Sequence, residues 1–88
     1  MPVRVWHVDL DPHSPVPLYQ QIADSLRREI ETGAYPPGAM LPSLKDIEKE
    51  QGVDVKTIQK GIRILIDEGL VVIVTGKGTF VAQTENGQ

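Results

Sequence analysis

Ser43-Leu44-Lys45-Asp46-Ile47-Glu48-Lys49-Glu50-Gln51-Gly52-Val53-Asp54-Val55-Lys56-Thr57-Ile58-Gln59-Lys60-Gly61-Ile62-Arg63 is the stretch whose reading decides the fold. Ser43 with Asp46 three residues on is an N-cap pattern close to the capping box, with Asp in place of the usual Glu, and Gly52 is a natural stop. A short helix is therefore predicted over 43–51. After Val53, Asp54 is placed to cap another helix by accepting a hydrogen bond from the Thr57 amide, and Gly69 ends that helix after Asp67-Glu68. Two helices three or four residues apart around a glycine form a helix-turn-helix.

Working towards the N-terminus, Leu18, Ile22, Leu26 and Ile30 recur every four residues and Ala23 widens their stripe. With Pro17 suited to a first helical turn and Gly33 to a stop, a helix is predicted over 17–32. Tyr35-Pro36-Pro37-Gly38 cannot continue it, so a tight connection leads to Leu41-Pro42. Before the helix, Val3-Arg4-Val5-Trp6-His7-Val8 alternates as a short half-buried strand would, and Asp11-Pro12-His13-Ser14-Pro15 breaks regular structure. Residues 1–16 read as an arm, with Trp6 as a core plug or a lid over the first helix.

Towards the C-terminus, Val71-Val72-Ile73-Val74 after Leu70 is β-branched, Thr75-Gly76-Lys77-Gly78 is a turn, and Thr79-Phe80-Val81 returns. The two glycines permit the positive φ that a tight hairpin needs, and the tip carries Lys77. The polar residues 83–88 are expected to be disordered. The expected fold class is mainly α with a small β wing: a winged helix-turn-helix over 17–82, with three helices and a C-terminal hairpin.

At 88 residues the chain has room for one domain. It has no cysteine, which excludes a disulfide framework and a cysteine-ligated metal. Its longest apolar run, Leu70–Val74, is far too short to cross a bilayer or to form the apolar core of a secretion signal, so no membrane role is expected, and the lack of cysteine permits a cytoplasmic location. The net charge of −3 argues against a polyanionic partner if taken as an average. Yet Lys45, Lys49, Lys56, Lys60 and Arg63 fall within 45–63, and Lys77 sits alone in the later turn; the basic charge is regional.

At about 100° per residue the third helix turns Ile58, Gly61, Ile62 and Leu65 towards the core. The opposite arc collects Lys56, Gln59, Lys60, Arg63 and Asp67. A solvated face would also be polar, but the second helix of a helix-turn-helix enters the major groove with its N-terminal residues nearest the base edges. Lys56, Thr57, Gln59 and Lys60 occupy that part, and a glutamine there pairs with adenine while lysines take phosphate or guanine. At the wing, Thr75, Gly76 and Lys77 are either a plain soluble turn or a cation and bare amides offered to phosphate. The turn lacks the Gly-Lys-Ser/Thr ending of a nucleotide-binding loop.

Asp11-Pro12-His13-Ser14-Pro15-Val16-Pro17-Leu18-Tyr19-Gln20-Gln21-Ile22, then Pro36-Pro37-Gly38 with Leu41-Pro42-Ser43, then Glu68-Gly69-Leu70-Val71 with Gly76-Lys77-Gly78-Thr79-Phe80-Val81, resemble the N-terminal domain of GntR-family regulators. The leading arm resembles the family's YtrA-like branch. The resemblance implies a winged helix-turn-helix that binds double-stranded DNA to regulate transcription. It carries the expected contacts onto Ser43, Lys45, Lys56, Thr57, Gln59, Lys60, Arg63, Thr75, Gly76 and Lys77. The chain departs from the family pattern where Lys45 replaces an early arginine of the second helix, where Asp54-Val55 replaces a Ser/Thr-Arg pair, and where Gln59 replaces a further arginine. Losing an arginine at 55 removes a phosphate or guanine fork, and Asp54 brings negative charge towards the backbone, so recognition is expected to be weakened or altered.

Ile64 and Ile66 also stand where the family is usually charged, at the flanks of the core arc. They are either covered by the fold or form an apolar patch for a protein partner or a second copy of the chain, the N-terminal arm being a further candidate surface. That patch defines the competing reading, a winged-helix protein-interaction module with weak or no DNA binding. For catalysis, His7 and His13 have no regularly spaced carboxylate partner, and Asp46, Glu48 and Glu50 read as a solvated helix face. No enzyme and no cofactor is expected.

Overall fold

The four-residue repeat of apolar side chains builds α1 (Leu18–Glu31), which buries Ile22, Ala23 and Leu26. Its predicted ends are its caps: Pro17 at the N-cap and Thr32 at the C-cap. Two further helices follow, α2 (Leu44–Gln51) and α3 (Val55–Asp67), and then the antiparallel strands β1 (Val71–Val74) and β2 (Gly78–Val81). This computed structural model describes residues 10–83. The strand expected at Val3–Val8, the placements of Trp6 and His7, and the tail after Gln83 lie outside the described residues.

All three helices contribute to one core. Ile47 comes from α2; Ile58, Ile62 and Leu65 come from α3; Tyr35, Leu41, Val53, Val71 and Val81 close it from the connections and strands. Each fully buried aliphatic side chain here, such as Ile22 or Leu65, stabilises the fold by roughly 1.5 to 3 kcal/mol relative to its exposed state. Ile64 and Ile66 lean on this core half-buried, so they are covered in part and form neither a fully buried pair nor an open patch.

Gly61 sits at the α1–α3 crossing. A β-carbon built on it would lie 2.8 Å from the Tyr19 carbonyl oxygen and 3.1 Å from Ile22 Cγ2, so only a hydrogen at this position allows the two helices their spacing. The far end of the same pair is held by charge. Arg27 donates from Nε and Nη2 to the two carboxylate oxygens of Glu68, at 2.9 and 2.6 Å, and from Nη1 to Asp24 at 2.7 Å. This fork joins α1 to the C-cap of α3 in the bidentate geometry that arginine alone supplies. The hydrogen bonds from Arg27 hold the Asp24 and Glu68 carboxyls below their ordinary range.

Two expectations need correction. Asp54 is the N-cap of α3, but its carboxylate accepts no helical amide. Instead the Thr57 hydroxyl donates to Asp54 Oδ1 at 2.7 Å. A threonine at that position carries a second donor, and it is the hydroxyl that makes the short contact. Residues 38–41, read as a connection alone, also pair with β2 through an isolated antiparallel bridge at Met40. The Gly38 amide donates to Val81 O, Val81 to Ala39 O and Leu41 to Thr79 O, at 2.8 to 2.9 Å, with Met40 opposite Phe80.

The described part of the arm is tied to α1 by one side chain. Gln21 accepts from the Asp11 amide at 2.8 Å and donates to the carbonyls of Asp11 and Val16 at 2.9 and 2.7 Å.

Gly61→Ala is expected to destabilise the fold by about 1 to 2 kcal/mol, because overpacking against a backbone carbonyl outweighs the roughly 1 kcal/mol gain in helix propensity. Urea unfolding measures this; equal or higher stability would place the helices farther apart. For Asp24 and Glu68 the folded pKa lies below the unfolded one, so their contribution is complete above their ordinary values of 3.8 and 4.5 and is lost as pH falls through the folded values. Arg27→Gln should therefore flatten the fall in melting temperature between neutral and acid pH.

Candidate nucleic-acid interface

The helix-turn-helix is set by its caps. Ser43 Oγ accepts from the Asp46 amide at 3.0 Å, as its position in the sequence requires. Gly52 ends α2 in the left-handed region at φ 68°, where a β-carbon is disfavoured, and Val53 is buried in the turn. The connection from α2 to α3 is thus short and anchored, which fixes the outward face of α3.

On that face Lys56, Gln59, Lys60, Arg63 and Asp67 are exposed and Thr57 is half-buried. Their opposite arc, Ile58, Gly61, Ile62 and Leu65, is buried. Lys45 is exposed on α2. The hairpin turn of Thr75, Gly76 and Lys77 is exposed throughout, with Gly76 at φ 79° and the Lys77 amide donating to Val74 O at 2.9 Å. Every residue expected to touch DNA is therefore accessible at least in part. Ser43 and Thr57 have their hydroxyl groups engaged within the fold.

A groove of about 290 Å³ separates α3 from the hairpin, lined by Leu44, Gln59, Ile62, Arg63, Ile66, Ile73 and Thr79. It brings Gln59 and Arg63 beside the wing strands, where Ile73 pairs with Thr79. Leu44, Ile73 and Thr79 were not singled out from the sequence. The period-2 alternation of β1, which turns Val71 and Ile73 to the same side, is the signal that could have found Ile73.

The electrostatics of the face are mixed. Arg63 Nε lies 3.8 Å from Asp67 Oδ1, but both side chains are more than 70% exposed, so the pair holds Arg63 only weakly. Lys60 Nζ stands 4.4 Å from the centre of the Tyr19 ring. Asp54 is held below the ordinary carboxylate range, chiefly by the Thr57 hydroxyl, against a smaller opposing effect of desolvation. Its negative charge persists at the start of α3 at neutral pH. Among the described residues no group of His, Cys, Asp or Glu side chains could hold a metal ion, and no helix is long and apolar enough to cross a membrane.

Three helices, a capped turn between the second and third, and a hairpin beside the outward face of the third define a winged helix-turn-helix domain. The chain belongs to the gntR family of bacterial regulatory proteins, whose pattern it matches over residues 18–81. It is 31% identical over 81 residues to the HTH-type transcriptional repressor NagR of Bacillus subtilis (strain 168), covering 92% of this chain and 33% of NagR. The chain thus spans 28 to 33% of the length of several curated relatives it matches, and 58% of the HTH-type transcriptional repressor YtrA of Bacillus subtilis (strain 168). Among solved structures it is similar to YtrA from Sulfolobus acidocaldarius, a GntR-family transcription factor, with a TM-score of 0.77 and 35% identity over 88% of this chain and 80% of that one. The DNA-binding domain of AraR in complex with operator ORX1 is similar at a TM-score of 0.78 and 31% identity, covering 86% and 98%.

Ser43→Ala should lower stability by about 1 kcal/mol, since it leaves the Asp46 amide without its acceptor. Lys77→Ala should leave the melting curve unchanged, because the turn is held by Gly76 and the backbone. A stability loss at Lys77 comparable to that at Ser43 would make the wing tip a structural element.

Proposed function

We propose that this chain binds double-stranded DNA sequence-specifically for transcriptional control, with α3 in the major groove and the hairpin turn on the backbone or minor groove. The observation that carries the reading is the two-sided α3. Its inner arc is fixed in the core, and its outer arc presents Lys56, Gln59, Lys60 and Arg63 to solvent from a helix held by that packing. The similarity to an operator-bound DNA-binding domain supports it, and so does the family's regulatory role.

In this arrangement Lys45 and the cations of α3 face phosphates, Gln59 and Thr57 lie near base edges, and Lys77, with the Thr75 and Gly76 turn, meets the backbone from the wing. Ser43 acts through α2, which it caps. A glutamine amide offers one donor and one acceptor, the complement of the adenine edge in the major groove. Binding of this kind needs no cofactor and no catalytic group, and it places the protein on the nucleoid in the cytoplasm. The competing protein-interaction reading would rest on Ile64, Ile66 and the arm; both isoleucines already pack on the core, which leaves that surface little to offer.

Affinity for a duplex selected from random sequence should fall with salt at a log-log slope of roughly −0.9 per phosphate neutralised. Gln59→Ala should relax discrimination at one base pair by about 1 to 3 kcal/mol, whereas Lys60→Ala should weaken all sequences nearly equally. Titrations against a panel of single-base variants separate the two. Absence of duplex binding even in low salt would favour the protein-interaction reading.

A further inference from the structure

Lys60 differs from the other cations of α3 in what its head group meets. Its ammonium stands 4.4 Å from the centre of the Tyr19 ring, a ring that belongs to α1. Among the described residues no carboxylate is paired with it, while Arg63 on the same face leans towards Asp67. The approach is a consequence of the helix crossing: Gly61, the next residue, brings α3 against the Tyr19 carbonyl. Tyr19 is half-buried and Lys60 is exposed. The ring is carried on a helix whose backbone is set against α3, and the Lys60 side chain is open to solvent, where an anion can approach.

We infer that Tyr19 is a positioning residue for DNA binding, whose ring holds the Lys60 ammonium on the α1 side of α3 so that it meets one backbone phosphate in a preset place. The inference rests on the DNA-binding reading and adds α1 to that surface. The physical basis is that a lysine side chain has many rotamers to lose when it takes a phosphate. A ring beneath the ammonium makes part of that selection before DNA arrives. A cation over an aromatic face keeps its charge and its remaining hydrogen-bond donors, so ring and phosphate can be engaged together.

Duplex affinity as a function of salt is to be measured for the unaltered chain, Tyr19→Phe, Tyr19→Leu, Lys60→Met and the double variant Tyr19→Leu/Lys60→Met. Tyr19→Phe, which keeps the ring, should bind within about twofold of the unaltered chain. Tyr19→Leu should lose roughly two- to fivefold, the range expected for an exposed cation–ring contact. In the Lys60→Met background the same tyrosine change should cost nothing further. An equal loss with and without Lys60 would overturn the inference, since Tyr19 would then act by itself or through folding. No loss in Tyr19→Leu would overturn it too.

A second readout needs no variant to fold. The ring current of Tyr19 should shift the Lys60 ε-methylene protons upfield in the free protein, and the shift should persist in the DNA complex. Its disappearance on binding would overturn the inference while leaving DNA binding intact. Failure of the unaltered chain to bind any duplex would remove the DNA-binding reading, and this inference with it.

Discussion

The close approach of α3 to α1 at Gly61 is the constraint on which the rest of the structure depends. A hydrogen in place of a side chain lets the third helix rest on the Tyr19 carbonyl and Ile22. From that contact the inner arc of α3 is committed to the core, and the outer arc is turned to solvent as a fixed surface. The Arg27 fork to Glu68 and Asp24 secures the other end of the crossing, and the capped α2 braces the start. Rigid support of this kind suits base reading, because side chains that must match a groove are best carried on an element whose orientation is already fixed.

An acidic chain can carry such a surface because its charges are separated in space. Asp24 and Glu68 are occupied by Arg27, away from the outer arc of α3, and Asp67 only touches Arg63. Asp54 is the exception. It stays ionised at the start of α3 with Thr57 donating to it. There its charge opposes close approach of a phosphate. The outer face of the hairpin is apolar, with Met40 60% exposed and Val72 45% exposed.

The helices were legible in the sequence because each carries its own local signals. The repeat from Leu18 to Ile30, the Ser43 cap and the stops at Gly52 and Gly69 need no knowledge of distant residues. The hairpin was legible for the same reason, through its β-branched run and its glycine turn. What the sequence concealed depends on contacts between remote segments. Residues 38–41 are bridged to β2 only because that strand arrives beside them, and their flanking prolines mask any alternation. Arg27 meets Glu68 across 41 positions, and Lys60 meets Tyr19 across the helix crossing. Thr57 was read as the partner of Asp54, but the competition between its hydroxyl and its amide is decided by local geometry that residue types leave open. The accessibility of the α3 part of the candidate site followed from helical spacing alone. The groove between Gln59, Arg63 and the wing required the packing of α3 on the hairpin.

The central claim is that α3 and the wing turn together form the DNA-binding face. Amide chemical shifts recorded while a selected operator duplex is added to labelled protein test it most directly. The account predicts changes concentrated in residues 54–63 and 75–78, with the outer hairpin face around Met40 and Val72 unmoved. Changes centred on that apolar face, with α3 silent, would contradict it.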